Sequence, residues 1–476
     1  MSSPQLPLRI RERKALLVFV DLVLVNVATG IALVVWALKD GRVLVGPFVL
    51  SKLYWLPLLA ILWLLLAWLN DFYNLRVAAD LKASTFALLR ISALELVVYL
   101  LVYFFSPPYS PLPRGVVLYQ AAASFVLIAL WRAAYPPLGR SALRRRAIVV
   151  GAGEAGRTIV QAIRENEGAG FELVGFIDDD PAKQGQMIAG LPVIGARRDL
   201  VSLVKTEGVS QIILAIIHDL HEELFRALMD CNEQGVEIVP MSLVYEEVTG
   251  KVPIQHVGNN WLVALPLDHA SAGGLFPAFK RALDVIISLI GLVILAALFP
   301  FVALALYIDS PGPIFYFQER VGQGGRPYRL MKLRTMVPHA ERDGRAVWAK
   351  EKDPRVTRVG RLLRATHVDE LPQFVSVLKG DMSVVGPRPE RPEFVAQLEK
   401  QVPFYRLRHA VRPGMAGWAL INYGYGRSVE DTLVKVQYDL YYIKHQSLYL
   451  DILILLKTLE RVVLLRGSQG RGKNKQ

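Results

Sequence analysis

Four apolar stretches, Leu16–Leu38, Leu53–Leu69, Ala87–Phe105 and Val116–Tyr135, occupy most of the first 135 residues. Nothing else in the chain narrows its possible folds as much. Each approaches the roughly 20 residues that a helix needs to cross a bilayer. Inside lipid the backbone has to satisfy its own N–H and C=O groups, which predicts a four-helix transmembrane bundle over residues 1–140. Basic clusters bracket it, Arg9, Arg11, Arg13 and Lys14 before and Arg140, Arg144, Arg145 and Arg146 after. An even number of spans keeps both clusters on the cytoplasmic side. The first apolar run is too long for a cleaved leader and has no small-residue cleavage site. Asp21 and Glu95 fall within the spans, where a carboxylate is costly. Asp21 is close enough to its helix end to be read as solvated.

Ala147 opens a different kind of sequence. The buried run Ala147–Val150 leads into Gly151-x-Gly153-x-x-Gly156, and a helical pattern follows to Glu165. Strand-like runs recur at Leu173–Ile177, Gln211–Ile217 and Val236–Pro240, separated by helical stretches. That alternation predicts a doubly wound, Rossmann-like α/β domain with a parallel sheet over residues 147–268. A strand-turn-helix context suits backbone amides that cradle a phosphate, so Gly151, Gly153 and Gly156 are candidate nucleotide contacts. Asp178, Asp179 and Asp180 stand where a ribose-binding acid would. The same glycines are also explained by a tight turn and close helix packing alone. Ala270–Gly274 reads as a linker.

The third domain, residues 276–476, starts with another membrane signal. Val285–Ile308 is a run of 24 residues without a formal charge, about 36 Å as a straight helix. Lys280 and Arg281 precede it and a basic segment follows, so both flanks belong on one side. Pro300 lacks an N–H and crowds the carbonyl of Ala296. A re-entrant helix over 282–308, bent within one leaflet, satisfies both facts.

Of the chain's formal charge of +13, +12 lies in Asp309–Gln476, where 29 Lys and Arg meet 17 Asp and Glu. Such a field suits an anionic substrate, phosphate first. No nucleic-acid recognition module is present, and membrane and phosphate ligands account for the basicity. Cys231 is the single cysteine, so no internal disulfide forms, and Cys/His zinc spacing is absent. Within this field stands Thr366-His-Val-Asp-Glu-Leu-Pro-Gln373. Asp369 and Glu370 read as a helix start, with Asp369 capping amides and Pro372 in the first turn, and the helix dipole keeps Asp369 ionised and nucleophilic. Lys332 and Arg334 share a strand face, suited to a diphosphate. Arg388 lies between prolines in Gly386-Pro-Arg-Pro389, and Arg412-Pro-Gly414 forms a second stiff arginine loop. His367 reads as an ordinary structural hydrogen-bonder.

These blocks occur in the order found in the bacterial sugar transferase family, the monotopic polyprenyl-phosphate phosphoglycosyl transferases. Lys280-Arg-x-x-Asp284, Phe317-Gln-x-Arg-Val-Gly322, Lys332-x-Arg-x-Met336, Asp369-Glu-Leu-Pro-Gln373, Gly386-Pro-Arg-Pro389 and Arg412-Pro-Gly414 carry the resemblance, from about Phe279 to Leu465. The whole chain resembles the large members with four N-terminal transmembrane helices and a Rossmann-like domain. The resemblance implies a multi-pass protein of the bacterial inner membrane with a mixed α/β catalytic domain in the cytoplasm. It implies transfer of sugar-1-phosphate from a UDP-sugar to undecaprenyl phosphate, with release of UMP, at the start of exopolysaccharide, O-antigen or capsule synthesis. Asp369 then matches the nucleophile that forms an aspartyl-phosphosugar intermediate, and Glu370 its partner acid, associated with metal or with proton removal from the acceptor. Mg²⁺ is the implied cofactor, with Asp369 and Glu370 as its ligands. Lys332, Arg334, Arg388 and Arg412 are candidate substrate contacts, and a homodimer is the candidate assembly. The chain departs from the family at Phe299-Pro300, where Ser often precedes the proline.

Two other functions fit parts of the chain. A membrane-bound nucleotide-sugar dehydratase or epimerase needs a Tyr-x-x-x-Lys pair, and Tyr328 and Lys332 match it. They lie on a predicted strand, however, where four residues cover about 13 Å against about 6 Å in a helix. A non-enzymatic component of polysaccharide assembly would leave Asp369 dispensable.

Overall fold

A computed structural model describes residues 10–41, 45–70, 72–105, 112–141, 145–166, 170–216, 221–256, 275–338, 340, 353–424 and 428–463. Arg9, Arg144, the sequence boundary at Asp268, the linker Ala270–Gly274 and residues 464–476 lie outside them. The chain divides into two compact units, Met1–Thr249 and Gly250–Gln476.

The first unit begins with α1 (Ile10–Lys39), α2 (Val45–Ser51), α3 (Trp55–Leu69), α4 (Leu75–Ala79), α5 (Leu81–Phe105) and α6 (Arg114–Ser141). Leu17 and Val25 of α1, Trp63 and Leu66 of α3, Ala87 and Ile91 of α5 and Ile128 of α6 meet in one buried core. The outward face of α1 shows Phe19, Val23, Val27 and Ile31. Three of these helices are long and apolar enough to cross a membrane, and this is a membrane protein. The second predicted span is shorter than expected. Only 15 residues form α3, about 22 Å of helix, because Pro57 has to sit in its first turn, where no N–H is needed. Asp21 is also not solvated: it is fully buried and accepts from Arg132 of α6 at 2.6 Å, whose guanidinium lies 4.1 Å from the Phe72 ring centre.

The unit continues with β1 (Arg145–Val150), α7 (Glu154–Glu165), β2 (Phe171–Ile177), β3 (Met187–Ile188), β4 (Leu191–Gly195), α8 (Leu200–Thr206), β5 (Gln211–Leu214), α9 (Glu222–Glu233), β6 (Glu237–Pro240) and α10 (Met241–Thr249). The strand order is β3-β4-β2-β1-β5-β6. All neighbours pair in parallel except β3 with β4. Alternation along β1 explains both faces: Ala147 and Val149 pack with α7 and α10, whereas Ile148 and Val150 pack with α8 and α9. Cys231 of α9 is buried in the second layer, a small apolar side chain.

The second unit includes Val252 and Ile254, which pack against Val395, Tyr405 and Val436. Its first long helix is α11 (Phe276–Asp309), 34 residues with Pro300 inside and helical throughout. A hairpin follows, β7 (Phe315–Val321) antiparallel to β8 (Pro327–Leu333). Then come α12 (Arg358–Ala365), α13 (Phe374–Lys379), β9 (Ser383–Val385), α14 (Pro392–Gln401), β10 (Gly414–Ala416), α15 (Trp418–Asn422), α16 (Val429–Lys444) and α17 (Leu448–Val463). One face of α11 is held along its length. Lys280 donates to Asp451 at 2.7 Å and Arg281 to the carbonyls of Val377 and Leu378. Asp284 accepts from Val384 N at 2.8 Å, and Asp309, at the other end, accepts from Val359 N at 2.8 Å. The opposite face exposes Ile286, Ile290, Val293, Phe301 and Leu304. Phe299, the departure from the family pattern, stacks on Phe315 of the hairpin at 5.5 Å.

Candidate active site

The acidic pair is delivered by a short 3-10 segment, Val368–Gln373, between α12 and α13. Thr357 caps α12 by accepting from Gly360 N at 3.0 Å. A Cβ at position 360 would overlap the Thr335 carbonyl, so glycine lets α12 lie directly on the strand end after β8. His367 then adopts a left-handed conformation, φ 57°, and redirects the chain. Its carbonyl accepts from Glu370 N at 3.1 Å.

This turn sets the two carboxylates in unlike surroundings. Glu370 Oε1 accepts from Lys332 Nζ at 2.8 Å and from Arg388 NH2 at 2.7 Å. Burial opposes its ionisation, but the Arg388 and Lys332 cations prevail and hold it well below the usual carboxylate range. Asp369 is 7% exposed. Among the described residues its carboxylate has no hydrogen-bond or ion-pair partner. Burial, and then the neighbouring Glu370 charge, push it up to about 6, while Lys332, Arg364 and Arg388 act in the opposite sense. The helix dipole expected to keep Asp369 fully ionised is outweighed, because the residue sits inside a tight buried turn next to another anion. Near neutral pH it is still largely a carboxylate, and its basicity exceeds that of an ordinary aspartate.

Lys332, Asp369, Glu370 and Arg388 thus come together. Arg334 does not join them. Strand β8 ends at Leu333, the alternation stops there, and the Arg334 guanidinium turns to the carbonyls of Ser310 and Pro311 beyond α11. Arg412 is exposed. Its loop packs backbone to backbone against the Arg388 loop: Gly414 N donates to Pro387 O at 2.8 Å, and a Cβ on Gly386 or Gly414 would overlap the other loop. No sequence motif points to Arg364, whose Nε donates to Thr335 at 2.8 Å and whose charge acts on Asp369. Its position five residues before the aspartate was the available signal.

In the first unit, Gly151 has φ 102° and Gly156 lies against the Gly151 carbonyl, so both are required by the turn itself. Gly153 is the N-cap of α7 and faces open space. Asp178 accepts from Ala152 N at 2.8 Å and from Lys183 at 3.1 Å, so the acid closes on the glycine turn.

Residues 276–465 match the model of the bacterial sugar transferase family, and residues 68–241 match that of a CoA-binding domain. The chain is 40% identical over 251 residues to UDP-N-acetylgalactosamine-undecaprenyl-phosphate N-acetylgalactosaminephosphotransferase of Aeromonas hydrophila, covering 53% of this chain and 58% of that one. It is 31% identical to UDP-glucose:undecaprenyl-phosphate glucose-1-phosphate transferase of Xanthomonas campestris pv. campestris, over 67% of this chain and 66% of that one. The enzyme of the same name from Escherichia coli (strain K12) is 33% identical over 331 residues, 66% of this chain and 67% of that one. The chain therefore spans about three fifths to two thirds of the length of these three relatives.

Proposed function

Because the chain belongs to the bacterial sugar transferase family, we propose that it transfers sugar-1-phosphate from a UDP-sugar to undecaprenyl phosphate, releasing UMP, to initiate exopolysaccharide, O-antigen or capsule synthesis. The unequal acidic pair is the observation that carries this reading. Glu370 organises two cations, while Asp369 has no hydrogen-bond or ion-pair partner among the described residues, as suits an attacking group. In the first half-reaction an Asp369 oxygen attacks the sugar-linked phosphorus. The bond from that phosphorus to the bridging oxygen breaks, and UMP leaves with its electron pair. In the second, a phosphate oxygen of undecaprenyl phosphate attacks the same phosphorus and the Asp369–phosphorus bond breaks. Lys332 and Arg388 stabilise charge on the diphosphate, and an acceptor in a separate step gives ping-pong kinetics. So strongly ionised a Glu370 is a weak base, which favours an organising part for it over proton removal.

Asp369 and the second oxygen of Glu370 are hard donors suited to Mg²⁺, which commonly takes one or two carboxylates together with substrate phosphates. Bound there, the ion would neutralise diphosphate charge. Among the described residues no group of three or more His, Cys, Asp or Glu gathers, which fits an ion shared with substrate better than a closed protein cage.

The catalytic unit belongs on the cytoplasmic face of the inner membrane, with α11 entering one leaflet and returning. Support comes from the anchors at Lys280 and Asp309, about 44 Å apart along a helix, which are both held by one unit. The dehydratase reading loses its pair, since Tyr328 and Lys332 are on one strand and Lys332 binds Glu370.

Purified full-length protein given a panel of UDP-sugars and undecaprenyl phosphate is expected to release UMP. Enzyme quenched during turnover should carry a sugar-phosphate adduct at Asp369 by mass spectrometry. An Asp369→Asn variant is expected to lose at least about 10³-fold in rate. Release at the wild-type rate by that variant refutes the covalent step.

A further inference from the structure

Arg408 touches no substrate in the mechanism above, yet it stands directly behind Arg388. It is 7% exposed. Its Nε donates to Asp439 Oδ2 at 2.7 Å, its NH1 to the Tyr405 hydroxyl at 2.8 Å, and its NH2 to the Arg388 carbonyl at 3.0 Å. The Arg388 guanidinium in turn donates to Glu370. The same loop is held on its other flank, where Arg320 donates to Pro389 O at 3.1 Å and Val321 N to Glu390 O at 3.0 Å. Pro387 and Pro389 restrict the backbone between these points. A cavity lined by Pro387, Pro389, Arg408 and His409 has a volume of only about 10 Å³, at most one water. The Arg388 backbone therefore cannot shift far without breaking the Arg408 bond.

Stability alone does not explain such a pair. Removing two charges from water costs several kcal/mol per ion, and well-packed apolar residues often do as well or better. We propose that Arg408 and Asp439 form a positioning device: Asp439 orients Arg408, Arg408 fixes the Arg388 carbonyl, and the Arg388 guanidinium is thereby set against Glu370. The proposal rests on the transfer reading for its kinetic consequences. It is independent of that reading for its structural ones.

The test uses full-length enzyme and a paired variant, Arg408→Met with Asp439→Leu, which replaces both charges by apolar groups and leaves neither partner orphaned. Its melting temperature should stay within a few degrees of wild type. Its kcat should fall by about 10- to 100-fold, with KM for the UDP-sugar changed less than about 3-fold, as expected when transition-state alignment is lost. Amide exchange in Gly386–Glu390, read by mass spectrometry, should accelerate. Adding Arg388→Ala should cost less than about 3-fold more, because both changes act through one group. Wild-type turnover with undisturbed exchange overturns the proposal, and so does a full multiplicative loss on adding Arg388→Ala. Should the paired variant not fold, Arg408→Lys decides: it keeps a charge opposite Asp439 but lacks the second nitrogen, and wild-type turnover from it is equally fatal. If wild-type enzyme released no UMP, the transfer reading would fall while loop exchange still judged the positioning.

Discussion

One peptide bond separates a carboxylate that burial disfavours from one that two cations sustain. The asymmetry has a thermodynamic signature. Asp369 is held near 6 in the folded chain against about 3.9 when unfolded, so the fold favours its protonated form. Its contribution to stability is therefore complete below about pH 4 and is lost as pH rises through about 6. Removing the charge should help the protein above that range. In metal-free buffer at pH 8, Asp369→Asn is expected to melt higher than wild type, with a gain on the order of 1–3 kcal/mol that shrinks at pH 4. A lower melting temperature at pH 8 counts against this account of the site. Glu370→Gln should behave in the opposite way, destabilising at pH 8, since it removes the carboxylate that Lys332 and Arg388 both bind. The sequence was informative about these four side chains because each stands in a short motif with its own chemistry. It was silent about Arg408 and Asp439, which lie 31 residues apart and show their relation only once the chain folds.

Among the elements, local pattern was legible wherever burial follows a period. The continuous apolar run of β1 announced a strand covered on both faces, and the alternation in β8 announced a strand but not its hairpin partner β7. Errors arose where an element ends. Arg334 falls on the Lys332 face only if the strand continues, and it stops one residue earlier. Hydropathy alone extends the second apolar stretch towards a full span, whereas its proline fixes where α3 can start. Asp21 reads as solvated from its helix end alone, because its partner, Arg132, is 111 residues away. The most demanding element contact at the site is α12 against Thr335, which tolerates no Cβ at position 360. Gly360→Ala is expected to destabilise by about 1–3 kcal/mol and to lower transfer, because α12 leads directly into the turn bearing Asp369. Thermal melts set beside UMP release check it; an unchanged melting temperature would mean that the strand end yields more easily than its packing suggests.

For the molecule as a whole, the course of α11 decides where chemistry meets lipid. A straight helix of 34 residues is about 51 Å long and exceeds the roughly 30 Å hydrocarbon core. Length alone therefore permits crossing. The anchors argue otherwise: Lys280, Arg281 and Asp284 at one end and Asp309 at the other bind the same compact unit. A straight crossing would place charged groups of one folded unit on both sides of an apolar layer, or bury them in it, at several kcal/mol for each unsatisfied group. Entry and return within one leaflet keeps the anchors together and the apolar face, Ile286 through Leu304, in lipid. The single native cysteine, Cys231, is buried and can be replaced by alanine to give a clean background. In that background, cysteines at Phe279 and at Pro311, both exposed positions near the two ends of α11, should react together with a membrane-impermeant maleimide in inside-out vesicles. Neither should react in sealed right-side-out vesicles. Labelling of the two positions from opposite sides would establish a crossing helix and remove the shared-leaflet geometry from which Asp369 is proposed to serve a lipid acceptor.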